Sequence, residues 1–171
     1  MDFDEFMALA IKEDEEKKEK GNQVTSQSNP NGRRYHIVLV DDLRNISASM
    51  KREILLAAKS SDLSVYVWEF QDPEVALQKI PKIKPDLLIT DIKMPYLTGD
   101  KLVETVKKQM PDLPVIVVTG FATKENILSV YRSDKNSIVL SKPWESKRLM
   151  DTIAGLIGAP LEWPIEVEAK K

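Results

Sequence analysis

At residues 87–99 the chain reads LLITDIKMPYLTG, a short apolar run followed by an aspartate and a turn that contains proline and glycine. The apolar run has no polar face, which is typical of a strand covered on both sides. Such strands occur in parallel sheets that carry helices on both faces. This stretch therefore favours an α/β fold.

The same pattern recurs along the chain from Tyr35 onwards. Short runs rich in β-branched residues alternate with segments of helical periodicity. The predicted strands are 35–40, 64–70, 86–90, 114–118 and 137–140, and the predicted helices are roughly 45–59, 73–83, 99–110, 124–133 and 145–156. Five βα units in about 124 residues predict a doubly wound sandwich with a five-stranded parallel sheet.

The segments on either side of this unit have a different composition. The predicted organisation is an acidic amphipathic helix at 1–20, a polar linker at 21–34, the α/β domain at 35–158 and a tail at 159–171. The apolar stripe of the first helix consists of Phe3, Phe6, Met7, Ala10 and Ile11. This stripe suits either docking to a partner or packing on the chain's own domain. The tail either folds over the domain, offers an edge to a partner or is loosely attached.

The composition excludes several classes of function. The chain has 171 residues, no cysteine and a formal net charge of −2, so disulfides, thiolate zinc sites and cysteine nucleophiles are excluded. The near-balance of charge gives no reason to expect nucleic acid or an anionic membrane as a partner. No apolar run approaches the roughly 20 residues of a membrane span, and the acidic start lacks the features of a signal peptide. We therefore expect a cytoplasmic protein.

Polar side chains with complementary chemistry follow four of the predicted strands. They are Asp41 and Asp42 after the first strand, Asp91 after the third, Thr119 and Gly120 after the fourth, and Lys142 and Pro143 after the fifth. Ligand sites in open parallel sheets form beyond the carboxyl ends of the strands, so these residues should converge. Crowded carboxylates favour a divalent cation, and a partial cage of hard oxygen ligands favours Mg²⁺. Because a lysine and a hydroxyl suit an incoming phosphoryl group, the residues alone predict a phosphoryl-handling site.

Four motifs carry a resemblance to a known family. They are VLVDD (38–42), LLITDIKMPYLTG (87–99), VVTG (117–120) and LSKPW (140–144). In this order, with these strands and helices around them, the motifs resemble the receiver domain of two-component response regulators over about residues 35–158. The resemblance implies a flavodoxin-like or CheY-like fold with the strand order 2-1-3-4-5.

The resemblance also implies a role for each residue of the site. Asp91 would be the phosphoacceptor, Asp42 the main acidic ligand of Mg²⁺, and Asp41 a second ligand that acts directly or through water. The backbone carbonyl of Lys93 would complete the protein's share of the ligands. Thr119 and Lys142 would bind phosphoryl oxygens, and the peptide before Pro143 would be cis.

Three positions depart from the family's pattern or distinguish this chain within it. The switch position three residues before Lys142 is usually aromatic, but here it is Val139, which puts the usual ring rotation in doubt. Lys93 and Phe121 occupy the two positions that flank the phosphoryl group, and the bulk of Phe121 is predicted to hinder the hydrolytic water. The only histidine, His36, lies inside the first strand and is interpreted as structural.

The expected function is that of a response regulator. A sensor histidine kinase or a phosphotransfer protein would supply the phosphoryl group, and a downstream protein would bind according to phosphorylation, through the N-terminal helix or another surface. A homodimer is left open, and no enzymatic activity beyond self-phosphorylation and dephosphorylation is expected. Two alternatives compete: a Mg²⁺-dependent phosphohydrolase of the haloacid dehalogenase type and a pseudo-receiver that binds without phosphorylation. The first lacks the expected acid two positions after Asp91, where Lys93 stands.

Overall fold

A computed structural model of the protein describes residues 32–164. Strands and helices alternate along this range as the sequence predicts. They are β1 Arg34–Val40, α1 Arg44–Ser60, β2 Ser64–Phe70, α2 Pro73–Ile83, β3 Leu87–Thr90, α3 Gly99–Gln109, β4 Val115–Thr119, α4 Lys124–Ser133, β5 Ile138–Ser141 and α5 Ser146–Ile157. The predicted helix at 1–20 and most of the linker lie outside the described residues.

The five strands form one parallel sheet in the order β2-β1-β3-β4-β5, which confirms the predicted topology. The register aligns the carboxyl ends of neighbouring strands: Val40 of β1 lies beside Thr90 of β3, and Thr119 of β4 beside Ser141 of β5. The loops that leave these strands therefore begin at one edge of the sheet. This edge is where an open parallel sheet places its ligand site.

Both faces of the sheet are buried, which explains the uninterrupted apolar runs. In β3, Leu87 and Ile89 belong to one hydrophobic cluster, packed with residues of α1 and α5. Leu88, which points to the opposite face, belongs to the second cluster with residues of α2, α3 and α4. Because side chains alternate along a strand, a strand between two layers of helices has to be apolar at every position.

The chain continues to pack on the domain after α5. Gly158 ends this helix in a left-handed conformation, with φ of 66°. Leu161 then enters the first hydrophobic cluster, and Trp163 packs against it. The backbone N–H of Glu162 donates a hydrogen bond to the hydroxyl of Ser61 at the end of α1 (2.8 Å). The described part of the tail is therefore folded over the domain.

Candidate functional site

Three carboxylates meet at the carboxyl ends of β1 and β3. Asp41, Asp42 and Asp91 each place an oxygen so that the three atoms lie within 4.8 Å of one another. The sheet itself sets this proximity, because the backbone N–H of Asp91 donates to the carbonyl of Val40 (3.1 Å) one residue beyond the β1–β3 register. Asp41 and Asp91 are buried, and Asp42 is partly exposed.

Lys142 joins two of these carboxylates. Its Nζ lies 2.6 Å from Oδ2 of Asp41 and 2.8 Å from Oδ2 of Asp91. Its backbone N–H donates to the carbonyl of Thr119 (2.9 Å), which continues the β4–β5 ladder and places the lysine at the same edge of the sheet. The next peptide bond, Lys142–Pro143, is cis.

Burial and charge act in opposite directions on these groups. Burial raises the pKa of the Asp41 carboxyl above its ordinary value, and the hydrogen bond and charge of Lys142 offset this rise only in part. Burial lowers the pKa of Lys142, but the hydrogen bonds and charges of Asp41 and Asp91 outweigh it and hold that pKa above its ordinary value. The ammonium therefore stays charged, but it compensates the negative charge of the acidic cluster only in part.

The backbone fixes the orientation of both buried carboxylates. The N–H of Leu43 donates to Oδ1 of Asp41 (2.9 Å), and the N–H of Ile92 donates to Oδ1 of Asp91 (2.6 Å). In each aspartate the other oxygen, Oδ2, accepts from Lys142. Each carboxylate is thereby held in one rotamer, with its remaining lone pairs available to a cation.

Gly99 is a residue whose importance the sequence analysis missed. It begins α3, and its N–H donates to the carbonyl of Ile92 (2.7 Å). A Cβ at this position would lie 1.8 Å from the backbone carbonyl oxygen of Asp91, so only glycine allows the β3–α3 loop to close around the aspartate. The glycine at the end of the LLITDIKMPYLTG motif was the available signal.

Thr119 is fully buried. The sequence predicts that it follows β4, but in the structure it is the last residue of that strand. Its hydroxyl accepts a hydrogen bond from the N–H of Phe121 (3.1 Å). The Phe121 ring is 54% exposed, and the ammonium of Lys93 lies 4.6 Å from its centroid. The two positions predicted to flank the phosphoryl group are therefore in direct cation–π contact.

The remaining predicted positions lie away from the carboxylates. His36 occupies β1 near its amino end, and its Nδ1 accepts a hydrogen bond from the indole N–H of Trp68 (3.1 Å). Val139 lies in β5, half-buried against the second hydrophobic cluster. Trp144 packs against the first cluster and donates its indole N–H to Oε2 of Glu53 (2.9 Å).

The acidic cluster fits a metal ion. Three carboxylate oxygens within 4.8 Å form the incomplete, hard-oxygen cage that a divalent cation requires. Asp42 is the most accessible of the three acids. The carbonyl of Lys93 stays a predicted further ligand.

Comparison with known proteins decides the family. Residues 37–154 match the family model of the response regulator receiver domain. The chain belongs to the response regulator receiver family. The matched range contains every residue of the acidic cluster as well as Thr119 and Lys142. The family resemblance inferred from the motifs is thereby confirmed.

Curated relatives match part of this chain and a smaller part of their own length. The chain is 28% identical to the transcriptional regulatory protein YhcZ of Bacillus subtilis over 116 residues, covering 68% of this chain and 52% of the relative. It is 29% identical to a protein-glutamate methylesterase/protein-glutamine glutaminase of Trichodesmium erythraeum, covering 57% of this chain and 26% of the relative. For the regulatory protein LuxO of Vibrio cholerae the identity is 28%, over 48% of this chain and 18% of the relative. The chain thus spans about half or less of these relatives.

Solved receiver structures share the fold over nearly their whole length. The CheY-like receiver domain protein of Methanospirillum hungatei covers 74% of this chain and 95% of its own, with 25% identity and a TM-score of 0.65. The receiver domain of Francisella response regulator 1452 covers 72% of this chain and 97% of its own, with 25% identity and a TM-score of 0.60. Within residues 32–164, none of the helices combines the length and the apolar character needed to cross a membrane.

Proposed function

We propose that this receiver accepts a phosphoryl group on Asp91 and changes its affinity for a protein partner as a result. The observation that carries the proposal is the bridging position of Lys142, whose ammonium contacts Asp91 at 2.8 Å and Asp41 at 2.6 Å. A buried aspartate next to a lysine and two further acids can act as a nucleophile, and the lysine is positioned to neutralise the charge of an incoming phosphoryl group.

The donor chemistry that fits is a phosphohistidine of a sensor kinase or a phosphotransfer protein. An Asp91 carboxylate oxygen forms the new O–P bond as the P–N bond breaks, and the bonding electron pair stays on the imidazole nitrogen. Positioning and charge neutralisation supply most of the catalysis in such a transfer. The backbone contact from Ile92 holds one Asp91 oxygen in place, so the carboxylate does not have to be ordered during the reaction.

Mg²⁺ is the cation that we assign to this site. Asp41, Asp42 and Asp91 would hold it, with the backbone carbonyl of Lys93 as a fourth ligand. When bound, Mg²⁺ would neutralise charge on the phosphoryl oxygens and help to orient the phosphoryl group for attack by Asp91. Lys142 pairs with a phosphoryl oxygen, and the Thr119 hydroxyl donates a hydrogen bond to another.

Lys93 and Phe121 would control the lifetime of the phosphorylated state. Their cation–π contact restrains the Phe121 ring, and we expect the restrained ring to hinder the approach of a hydrolytic water to the phosphorylated Asp91. Val139 would set the response to phosphorylation, because an aliphatic side chain at the switch position cannot report burial by ring rotation. The proposed output is binding, to a downstream protein or to a second copy of the chain, in the cytoplasm.

The test is incubation of the full chain with acetyl phosphate and Mg²⁺, followed by intact-protein mass spectrometry. We expect one added phosphoryl group, with none in Asp91→Asn. Asp86→Asn is the matched control, since Asp86 is a partly buried aspartate whose side chain contacts the backbone N–H of His36 and not the acidic cluster. It should be labelled like the wild type.

The outcomes separate the proposal from its two alternatives. Turnover of assorted phosphomonoesters without a stable adduct would identify a phosphohydrolase. An inert chain that nevertheless binds Mg²⁺ would identify a pseudo-receiver. Either result, or an adduct that persists in Asp91→Asn, contradicts the assignment of Asp91 as the phosphoacceptor.

A further inference from the structure

Three aromatic rings, one from β1 and two from the edge strand β2, form a cluster. The centroids of Tyr66 and Trp68 are 4.7 Å apart, and the His36 ring lies 6.1 Å from each. Tyr66 and His36 are half-buried, and Trp68 is buried, with 5% of its surface exposed. We call these three side chains the aromatic surface. The strand register places it in the first half of β1 and β2, because His36 pairs with Tyr66 and Val38 with Trp68.

Positive charge collects at the same end of the domain. The helix α2 runs antiparallel to the strands, so its last turn lies near the amino ends of β1 and β3. The basic residues at this end are Arg33, Arg34, Lys79, Lys82 and Lys84. Asp86 lies among them and pairs with Arg33. The surroundings of the aromatic surface therefore favour an acidic ligand that carries large apolar side chains.

We propose that the aromatic surface is the docking site for residues 3–11 of the chain's own N-terminal segment. Phe3, Phe6, Met7, Ala10 and Ile11 form a stripe at helical spacing, and residues 1–32 carry eight acids and four bases. The apolar side chains of this stripe match the rings of the aromatic surface, and the excess of acids matches the lysines of α2. The segment thus has the composition that this part of the domain would recognise.

The attachment point of the segment supports an intramolecular contact. The segment joins the domain at Gly32, directly before β1. The 12 residues of the polar linker up to this point, 21–32, have a root-mean-square reach of about 20 Å. The level of Trp68 lies four residues along β1 from Arg34, which is about 13 Å. The linker can therefore return the stripe to the aromatic surface, and a tether of this length gives an effective concentration in the millimolar range, above that of a second copy.

Docking has a consequence for partner binding. The same apolar stripe cannot contact the aromatic surface and another protein at once. A partner that uses the stripe has to displace it from the domain, so the free energy of docking is subtracted from the affinity of that partner.

The absence of cysteine makes a direct test available in the full chain. A nitroxide spin label at Ala8→Cys, which lies off the stripe, broadens nuclear resonances close to it. The reporters are the indole N–H resonances of Trp68, Trp144 and Trp163, assigned by single Trp→Phe variants. Trp68 belongs to the cluster that contains the aromatic surface, whereas Trp144 and Trp163 pack against the cluster on the opposite face of the sheet.

We expect the Trp68 resonance to lose most of its intensity while those of Trp144 and Trp163 persist. Phe3→Ser combined with Phe6→Ser in the labelled chain should restore it, and Lys79→Glu combined with Lys82→Glu should restore it in part. Equal broadening of the three indoles, no broadening, or broadening that survives the serine variant overturns the proposal. Broadening that occurs only between a labelled chain and an unlabelled, isotope-enriched chain would assign the surface to a second copy and also overturn it.

Discussion

Replacement of Lys142 by methionine tests the electrostatics of the site most directly. The lysine side chain is 15% exposed, and its partners Asp41 and Asp91 are 4% and 9% exposed. Methionine keeps much of the volume but removes the charge. At an effective dielectric constant of about 20, two negatively charged oxygens at the 4.8 Å limit repel by about 3.5 kcal/mol, and closer oxygens repel more. Because loss of one partner of a buried pair typically costs about 3–5 kcal/mol, we expect about 3 kcal/mol lower stability at pH 8 without metal.

The assay is urea unfolding of Lys142→Met and of a matched control, Lys147→Met. Lys147 pairs with Asp151 at the same N–O distance, 2.6 Å, but the two side chains are 66% and 56% exposed. An exposed pair contributes little, so the control should change stability far less than Lys142→Met does. Mg²⁺ should stabilise Lys142→Met more than the wild type, because the cation replaces the missing charge. Equal losses in the two lysine variants, or equal stabilisation of variant and wild type by Mg²⁺, would refute this reasoning.

Three further predictions concern the loops around the acidic cluster. Gly99→Ala should lower stability by about 3 kcal/mol in urea unfolding, because its Cβ would collide with the Asp91 carbonyl. The control is Gly155→Ala, whose Cβ would meet nothing within 4 Å and which should be neutral or stabilising. Asp41→Asn without Mg²⁺ should be more stable than the wild type at pH 8. Because the pKa of Asp41 is raised, its carboxyl stabilises the fold below the ordinary aspartate range and loses this contribution as the pH rises. A gain in stability that grew toward low pH would contradict this. Phosphorylated Phe121→Ala should lose its phosphate about two- to fivefold faster than the wild type, a factor that corresponds to the free energy of a surface cation–π contact. The loss is followed by mass spectrometry, and slower loss than in the wild type would contradict the shielding role of the ring.

The sequence predicted the fold almost to the residue because strand and helix signals agree along the whole domain. The predicted 64–70 is the observed β2, and the predicted 73–83 and 124–133 are the observed α2 and α4. Differences elsewhere are shifts of one residue at the ends. Thr119 belongs to β4 because it pairs with Ser141 of β5, which extends the ladder by one residue. This pairing is a tertiary contact, so the local sequence pattern does not predict it.

The candidate site was predictable as a set of residues but not as a set of contacts. Parallel topology alone places the residues after β1, β3, β4 and β5 at one edge, so Asp41, Asp91 and Lys142 could be grouped in advance. The contact between Lys93 and Phe121 depends on how two loops pack against each other. The close approach of Gly99 to Asp91 depends on how the β3–α3 loop closes on itself. Leu161 enters the core for a similar reason, since its partners are distant in sequence.

The charges at the site imply an order of events. The three carboxylates and one ammonium leave the cluster with two uncompensated negative charges, so a phosphoryl dianion that arrives first meets repulsion at short range. A divalent cation held by the three carboxylates would make the cluster neutral. Under the proposed function, Lys142 could then leave Asp91 for a phosphoryl oxygen without exposing an unpaired carboxylate. We therefore expect phosphorylation to have no Mg²⁺-independent pathway, and the rate measured with acetyl phosphate should fall to background in EDTA while the chain stays folded.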